Sequence, residues 1–211
     1  MPAHLLAKAA VKGARRRGSV LIELALALTV LVPLLLGVGA IGIRLGRTLQ
    51  ATQLTRDVAH MYALGTDFSL PGTQAIVTTL SQGFSLTSTS QSVLLLSSVL
   101  KVQQIDCTAA GLPTCPNLNL TVFTQRLTIG NPAQLTSAFG TPPAAYIGSG
   151  GNIAAADYCR QSSLVANGFD SVLLLSAGQT STVVEGYFNM PDINFIGLPG
   201  SGGGYYVRFL F

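Results

Sequence analysis

Residues 15–43 read "RRRGSVLIELALALTVLVPLLLGVGAIGI". Three arginines and a glycine lead into 25 residues, Ser19 to Ile43, in which Glu23 is the only charged side chain. A helix rises about 1.5 Å per residue, so this stretch spans roughly 37 Å, enough to cross a hydrocarbon core of about 30 Å with some tilt. Membrane helices ordinarily discard acidic residues, because an ionised carboxylate near the bilayer centre costs roughly 2.5–3.5 kcal/mol. Glu23 therefore requires a compensating role.

The remainder of the composition fits a membrane-associated or secreted protein. Of 211 residues 48% are hydrophobic and 9% charged, where an ordinary soluble domain carries about 25% charge. The formal net charge of +4 is concentrated at the start: Lys8, Lys12, Arg15, Arg16 and Arg17 supply five of the twelve basic residues. Beyond Gly18 the chain holds seven basic and eight acidic side chains, a net of −1. With no basic patch outside the leader and no aromatics interleaved within it, nucleic-acid binding is not expected.

Cations before an apolar span place its N-terminal side in the cytoplasm, so residues after Ile43 are expected outside. Arg44 and Arg47 follow the span and pull weakly the other way. A secretory signal peptide would have an apolar core of about 7–15 residues; this one runs longer. Pro33 removes the donor that would normally reach the Thr29 carbonyl, a loss tolerated where a neighbouring helix or a hydroxyl supplies a partner. Gly42 and Gly46 form a GxxxG pair suited to close helix packing.

Two motifs imitate enzymes. Gly37, Gly39 and Gly42 match the dinucleotide fingerprint, with Asp57 twenty residues after Gly37, but Pro33 would interrupt a central strand and no βαβ alternation follows. Ser98 and Lys101 match S-x-x-K, whose chemistry needs one helix face, whereas their surroundings read as a strand. His4 and His60 are the only histidines, and neither a triad nor a His-based metal site is visible. No catalytic residue, cofactor or metal is expected.

The stretch "RRRGSVLIELALAL" resembles the class III leader of type IV pilin-like proteins, a basic leader ending in glycine before an apolar helix with glutamate at its fifth residue. Within that superfamily the chain most resembles the TadE-like minor pilins of the tight-adherence (Tad/Flp) system. The resembling features are Gly18, Glu23, the proline within "LTVLVPLLLG" and a helix running on through "RLGRTLQATQLTRDVAHMYALG", over residues 15 to 65. Leu24 stands where an aromatic usually follows the glutamate, and Ser19 is not the aromatic first residue of type IVa pilins. These departures argue against a type II secretion pseudopilin more than against a TadE-like protein. The resemblance implies cleavage between Gly18 and Ser19 by a prepilin peptidase. It also implies residence in the bacterial inner membrane, and assembly with other pilin or pseudopilin subunits and the Tad machinery into an oligomer or filament.

Elementary electrostatics gives Glu23 a role in such an assembly. Cleavage would remove the leader cations and create an α-amino group, positive at pH 7 with an ordinary pKa near 7.7–8.0. Glu23 lies at i+4 from Ser19, on the same helix face one turn along. It can neutralise its own terminus or, in a staggered assembly, a neighbour's amine, and it also complements the helix dipole. The alternatives are a glutamate that snorkels to the headgroups and a single-pass anchored protein with an uncleaved N-terminus and a β-rich binding domain.

The fold class expected is α+β: a leader over 1–18, a transmembrane helix over 19–43, an amphipathic extension over 44–66 and a β-rich domain over 67–211. Ala51, Leu54, Val58 and Met61 form the apolar stripe of the extension, Gly65 suits its C-terminal cap and Pro71 bars continuation. "TQAIVTTLSQ" (73–82) suits a short helix. Strands are expected at "SVLLLSSVLKVQQID" (92–106), "NLTVFTQRLTI" (119–129), "DSVLLLSAG" (170–178), "STVVEGYFNM" (181–190) and "YYVRFLF" (205–211). "GTPPAAYIGSGGN" (140–152) and "GLPGSGGG" (197–204) read as loops, the first with a mobile part near Gly148 to Asn152. In an oxidising compartment Cys107 and Cys115, which bracket the turn-rich "TAAGLPT", are expected to form a disulfide, with Cys159 left over. Three cysteines at this spacing make a poor zinc site.

Overall fold

Helix α1 extends from Ala3 to Ala63, through Pro33, in the computed structural model, which describes residues 3–81, 83–190 and 203–211, with side chains from Val20 onward. It ends where its backbone is recaptured. The Gly65 N–H donates to the Tyr62 carbonyl and the Thr66 N–H to that of Met61, both at 3.0 Å, the paired bonds of a Schellman motif. This requires a left-handed residue, and Gly65 has φ +85°. The chain divides into two units, one holding the chain up to Gly46, the other Arg47–Asp192 and Gly202–Phe211.

The second unit is built on one antiparallel sheet. Strands β1 (Val93–Lys101), β2 (Thr121–Gly130), β3 (Thr180–Met190) and β4 (Gly203–Leu210) lie in the order β2-β1-β3-β4. The architecture is therefore α+β, a long apolar N-terminal helix followed by a small four-stranded sheet domain. β1 is apolar along most of its length because both of its faces are covered, which removes the alternation of a half-exposed strand. Leu94 and Leu96 pack with Val184 and Phe188 of β3 against Ala51, Leu54, Val58 and Ala59 of α1. The stripe on the helix extension is thus domain core. Helix α2 (Pro71–Leu80) contributes Val77 to the same cluster and starts at a proline, where the missing N–H costs nothing.

The opposite face is covered by the long segment between β2 and β3. Val99, Phe123 and Val183 from the sheet pack with Phe139, Ile153, Leu164 and Phe169 from that segment. The segment consists of 3-10 turns and one short helix, α4 (Ala155–Tyr158). At 148–152 the backbone makes hydrogen bonds within the turn and to the sheet. The Gly148 N–H donates to the Asn152 carbonyl at 2.8 Å, and the Gln125 side chain of β2 donates to the Gly150 carbonyl at 2.9 Å.

Two strand expectations differ from the structure. The chain from 92 to 106 is not one strand: β1 stops at Lys101, and helix α3 (Gln104–Ala109) begins. The Asp106 carboxylate caps the start of α3, accepting from the Gln103 N–H at 2.9 Å while the Asp106 N–H donates to the Gln103 carbonyl at 3.1 Å, and this half of a capping box turns the chain out of the sheet. Residues 170–178 hold a 3-10 turn, Phe169–Ser171, and then irregular backbone. Their apolar side chains pair with no described strand, and Leu174 is 78% exposed. The loop expected at 197–204 lies largely outside the described residues.

Candidate functional site

Leucine, a strong helix former, is the commonest residue of the apolar part of α1 and supports its helix. Between Val20 and Ile43, fifteen large apolar side chains are exposed. The stretch is long and apolar enough to cross a membrane, and its most apolar window is not buried at all within the chain. Taking one such side chain fully out of water contributes about 1.5–3 kcal/mol. Fifteen of them outweigh the ~2.5–3.5 kcal/mol that one carboxylate costs at the bilayer centre. Glu23 therefore does not bar insertion, and none of the described residues buries the most apolar part of the span.

Glu23 lies on this stretch, exposed, between Ile22 and Leu24. Gly18 and Ser19 are helical, and the side chains of the leader lie outside the described residues. Ten residues beyond Glu23, Pro33 interrupts the ladder without ending the helix, and the Thr29 hydroxyl donates to the Leu26 carbonyl at 2.7 Å. A Cβ placed on Gly37, Gly39, Gly42 or Gly46 would meet nothing within 4 Å. No packing among the described residues asks for glycine at these positions. They leave a shallow surface on which another helix can approach closely.

The same geometry disposes of the two imitated enzyme motifs. Gly37, Gly39 and Gly42 lie inside a helix rather than at a strand-to-helix turn. Ser98 and Lys101 lie on β1, and the Lys101 ammonium is bound to the Asp170 carboxylate at 2.5 Å.

In the second unit Cys107 and Cys115 are joined by a disulfide, with their Cα atoms 5.6 Å apart. Cys107 sits on α3, not in a turn between two strands. Cys159, directly after α4, keeps its thiol and is fully buried. The three sulfur atoms lie within 4.8 Å of one another. Burial pushes the Cys159 thiol above its ordinary pKa, and the Asp106 carboxylate adds to the rise.

Sequence reasoning missed a buried polar layer on the second face of the sheet. The Glu185 carboxylate is completely buried and accepts from the Tyr206 hydroxyl at 2.7 Å and the Ala138 N–H at 3.1 Å. Arg126, 6% exposed, donates to the Ser97 hydroxyl at 2.5 Å, its cross-strand partner. Burial lowers the Arg126 pKa, and the charge of Glu185 opposes that fall. Burial also raises the Tyr206 pKa strongly, helped by its bond to Glu185. The signal available was a lone charge in each of two otherwise uncharged strands. Comparisons with protein-family models, curated proteins and solved structures found no match.

Proposed function

We propose that the chain is a TadE-like minor pilin, a structural subunit of a tight-adherence pilus or of its assembly base. A prepilin peptidase removes residues 1–18 by cutting after Gly18. The helix from Ser19 holds the subunit in the inner membrane with its N-terminus at the cytoplasmic face and the sheet domain outside, from where it can enter a surface pilus. Subunits associate through this helix, with Glu23 opposite the N-terminal amine of a neighbouring pilin and the glycines admitting close contact.

The observation that carries this reading is the position of one carboxylate, Glu23. It lies four residues after Ser19 in an otherwise uncharged span whose apolar side chains are exposed among the described residues. A charge at that place is a liability to a solitary anchor and an asset to a bundle of processed helices.

The alternative is an uncleaved, single-pass envelope protein whose sheet domain binds a ligand. The continuity of α1 through Gly18 favours it, since no break in the helix sets the leader apart. The two readings part at Glu23→Ala. In a pilin, this change should leave processing and insertion intact and weaken cross-linking to pilin partners, because breaking a buried charge pair costs about 3–5 kcal/mol. Undiminished association at matched expression would reduce Glu23 to a snorkelling side chain.

A further inference from the structure

Three chain segments converge on the cysteines. Cys107 comes from α3, Cys115 from the turn that follows it and Cys159 from the end of α4, on the far side of β2 in sequence. All three are buried in one cluster with Val102 and Val122. Asn117 fixes the approach of α4: its side-chain amide donates to the Tyr158 carbonyl at 2.8 Å and the Gln161 carbonyl at 2.9 Å. Its own N–H donates to the Cys159 carbonyl at 3.3 Å. The third thiol is thus held beside the bridge by a dedicated set of hydrogen bonds, with every sulfur within 4.8 Å of the other two.

Disulfides exchange by attack of a thiolate on a bridge sulfur. We propose that the three cysteines form an exchange cluster in which Cys159 displaces one partner of the Cys107–Cys115 bridge, replacing that bridge with one that ties the end of α4 to the α3 segment. In the step, Cys159 gives its proton to water and its thiolate attacks Sγ of Cys107 or Cys115. The new S–S bond forms as the old one breaks, and the displaced sulfur leaves as a thiolate that takes a proton from water. One disulfide and one thiol are present before and after, so no oxidant or reductant is consumed. The elevated pKa of the buried Cys159 thiol keeps the exchange slow near neutrality and preserves the resting bridge. The consequence is mechanical. The resting bridge closes a short local turn, whereas the exchanged one crosses β2 and locks the covering segment to the start of the domain.

The test uses full-length protein extracted in detergent. A sample quenched in acid, alkylated and mapped by non-reducing peptide analysis should contain the Cys107–Cys115 bridge. After incubation with a trace of reduced glutathione at mildly alkaline pH, the map should also contain a peptide joining Cys159 to Cys107 or Cys115. Cys107→Ser and Cys115→Ser, treated with glutathione disulfide, should each lose both remaining free thiols to a bridge that includes Cys159. The wild-type arm decides the matter should either variant fail to fold. Complete absence of a disulfide containing Cys159 from the incubated wild type overturns the proposal.

Discussion

Thr55 of α1 packs against Gly186 of β3 so closely that a Cβ on the glycine would fall 2.8 Å from the threonine hydroxyl. The same atom would lie 2.7 Å from the Phe188 ring and 3.1 Å from Leu94. Thr55 is fully buried and spends its hydroxyl on the Ala51 carbonyl at 2.9 Å, so its side chain adds no unsatisfied donor to the interface. Helix and sheet meet at the one position of β3 that has no side chain.

Gly186→Ala should therefore destabilise the domain by about 1–3 kcal/mol, the range for overpacking a filled core. Thermal unfolding followed by near-UV circular dichroism reads the loss. Combining it with Thr55→Ala should recover part of the deficit, since the two sites share one contact. Additive effects would show that the contact is not what limits the approach.

Glu185 anchors the covering segment to the sheet. Glu185→Ala removes the acceptor of the Tyr206 hydroxyl and the Ala138 N–H. Both residues reach solvent, so each lost bond should cost its net value of about 0.5–1.5 kcal/mol, with more from the cavity left in the buried site. Glu185→Gln retains an acceptor oxygen and should cost less. Urea denaturation of the two variants side by side measures the difference, and equal losses would rule out the hydrogen bonds as the cause.

Asp170 gives the domain an acid dependence. Burial raises its pKa, but the bonds from Lys101 and Thr121 and the Lys101 charge outweigh that and leave it below the ordinary carboxylate value. A depressed folded-state pKa stabilises the protein above the unfolded value, about 3.9 for aspartate, and that contribution is lost as pH falls through the folded value. Asp170→Asn should flatten the decline of stability below about pH 4. An unchanged pH profile would show that the pair contributes nothing; its partly exposed position in any case limits the size of the effect.

The resting disulfide closes a short loop, for which chain entropy implies about 2–3 kcal/mol. Cys115→Ser under reducing conditions should lower the unfolding free energy by about that much relative to the oxidised wild type. Mass mapping of acid-quenched protein should show Cys159 alkylated only after unfolding, because its thiol is completely buried.

Much of the architecture is legible in the sequence because it rests on local regularities. The stripe Ala51, Leu54, Val58 and Met61 has helical spacing and packs on the sheet, and Gly65 stops the helix by a conformation glycine adopts freely. The run at 93–101 shows a strand through sheer apolarity, as a strand covered on both faces must. The failures are of pairing and competition. Residues 172–175 are as apolar as the start of β1, yet nothing in their composition records that no described strand pairs with them. At Gln103 the Asp106 cap overrides the β-forming run before it. The proximity of Cys159 to the bridge, and the meeting of Glu185 with Ala138, depend on the path of residues 131–179, which has no period to read; that of Glu185 with Tyr206 depends on the register of β3 against β4. Gly18, Ser19 and Glu23 are legible through sequence and electrostatics alone, since their proposed partners are other molecules.

The mass of the intact protein extracted from the membrane of cells that express it with a prepilin peptidase tests the central claim most directly. The account predicts a chain that begins at Ser19, shorter by residues 1–18, and a full-length chain when Gly18 is replaced by a bulky residue such as leucine. A wild-type mass that still includes residues 1–18, or one set by a cut elsewhere in the span, would contradict it.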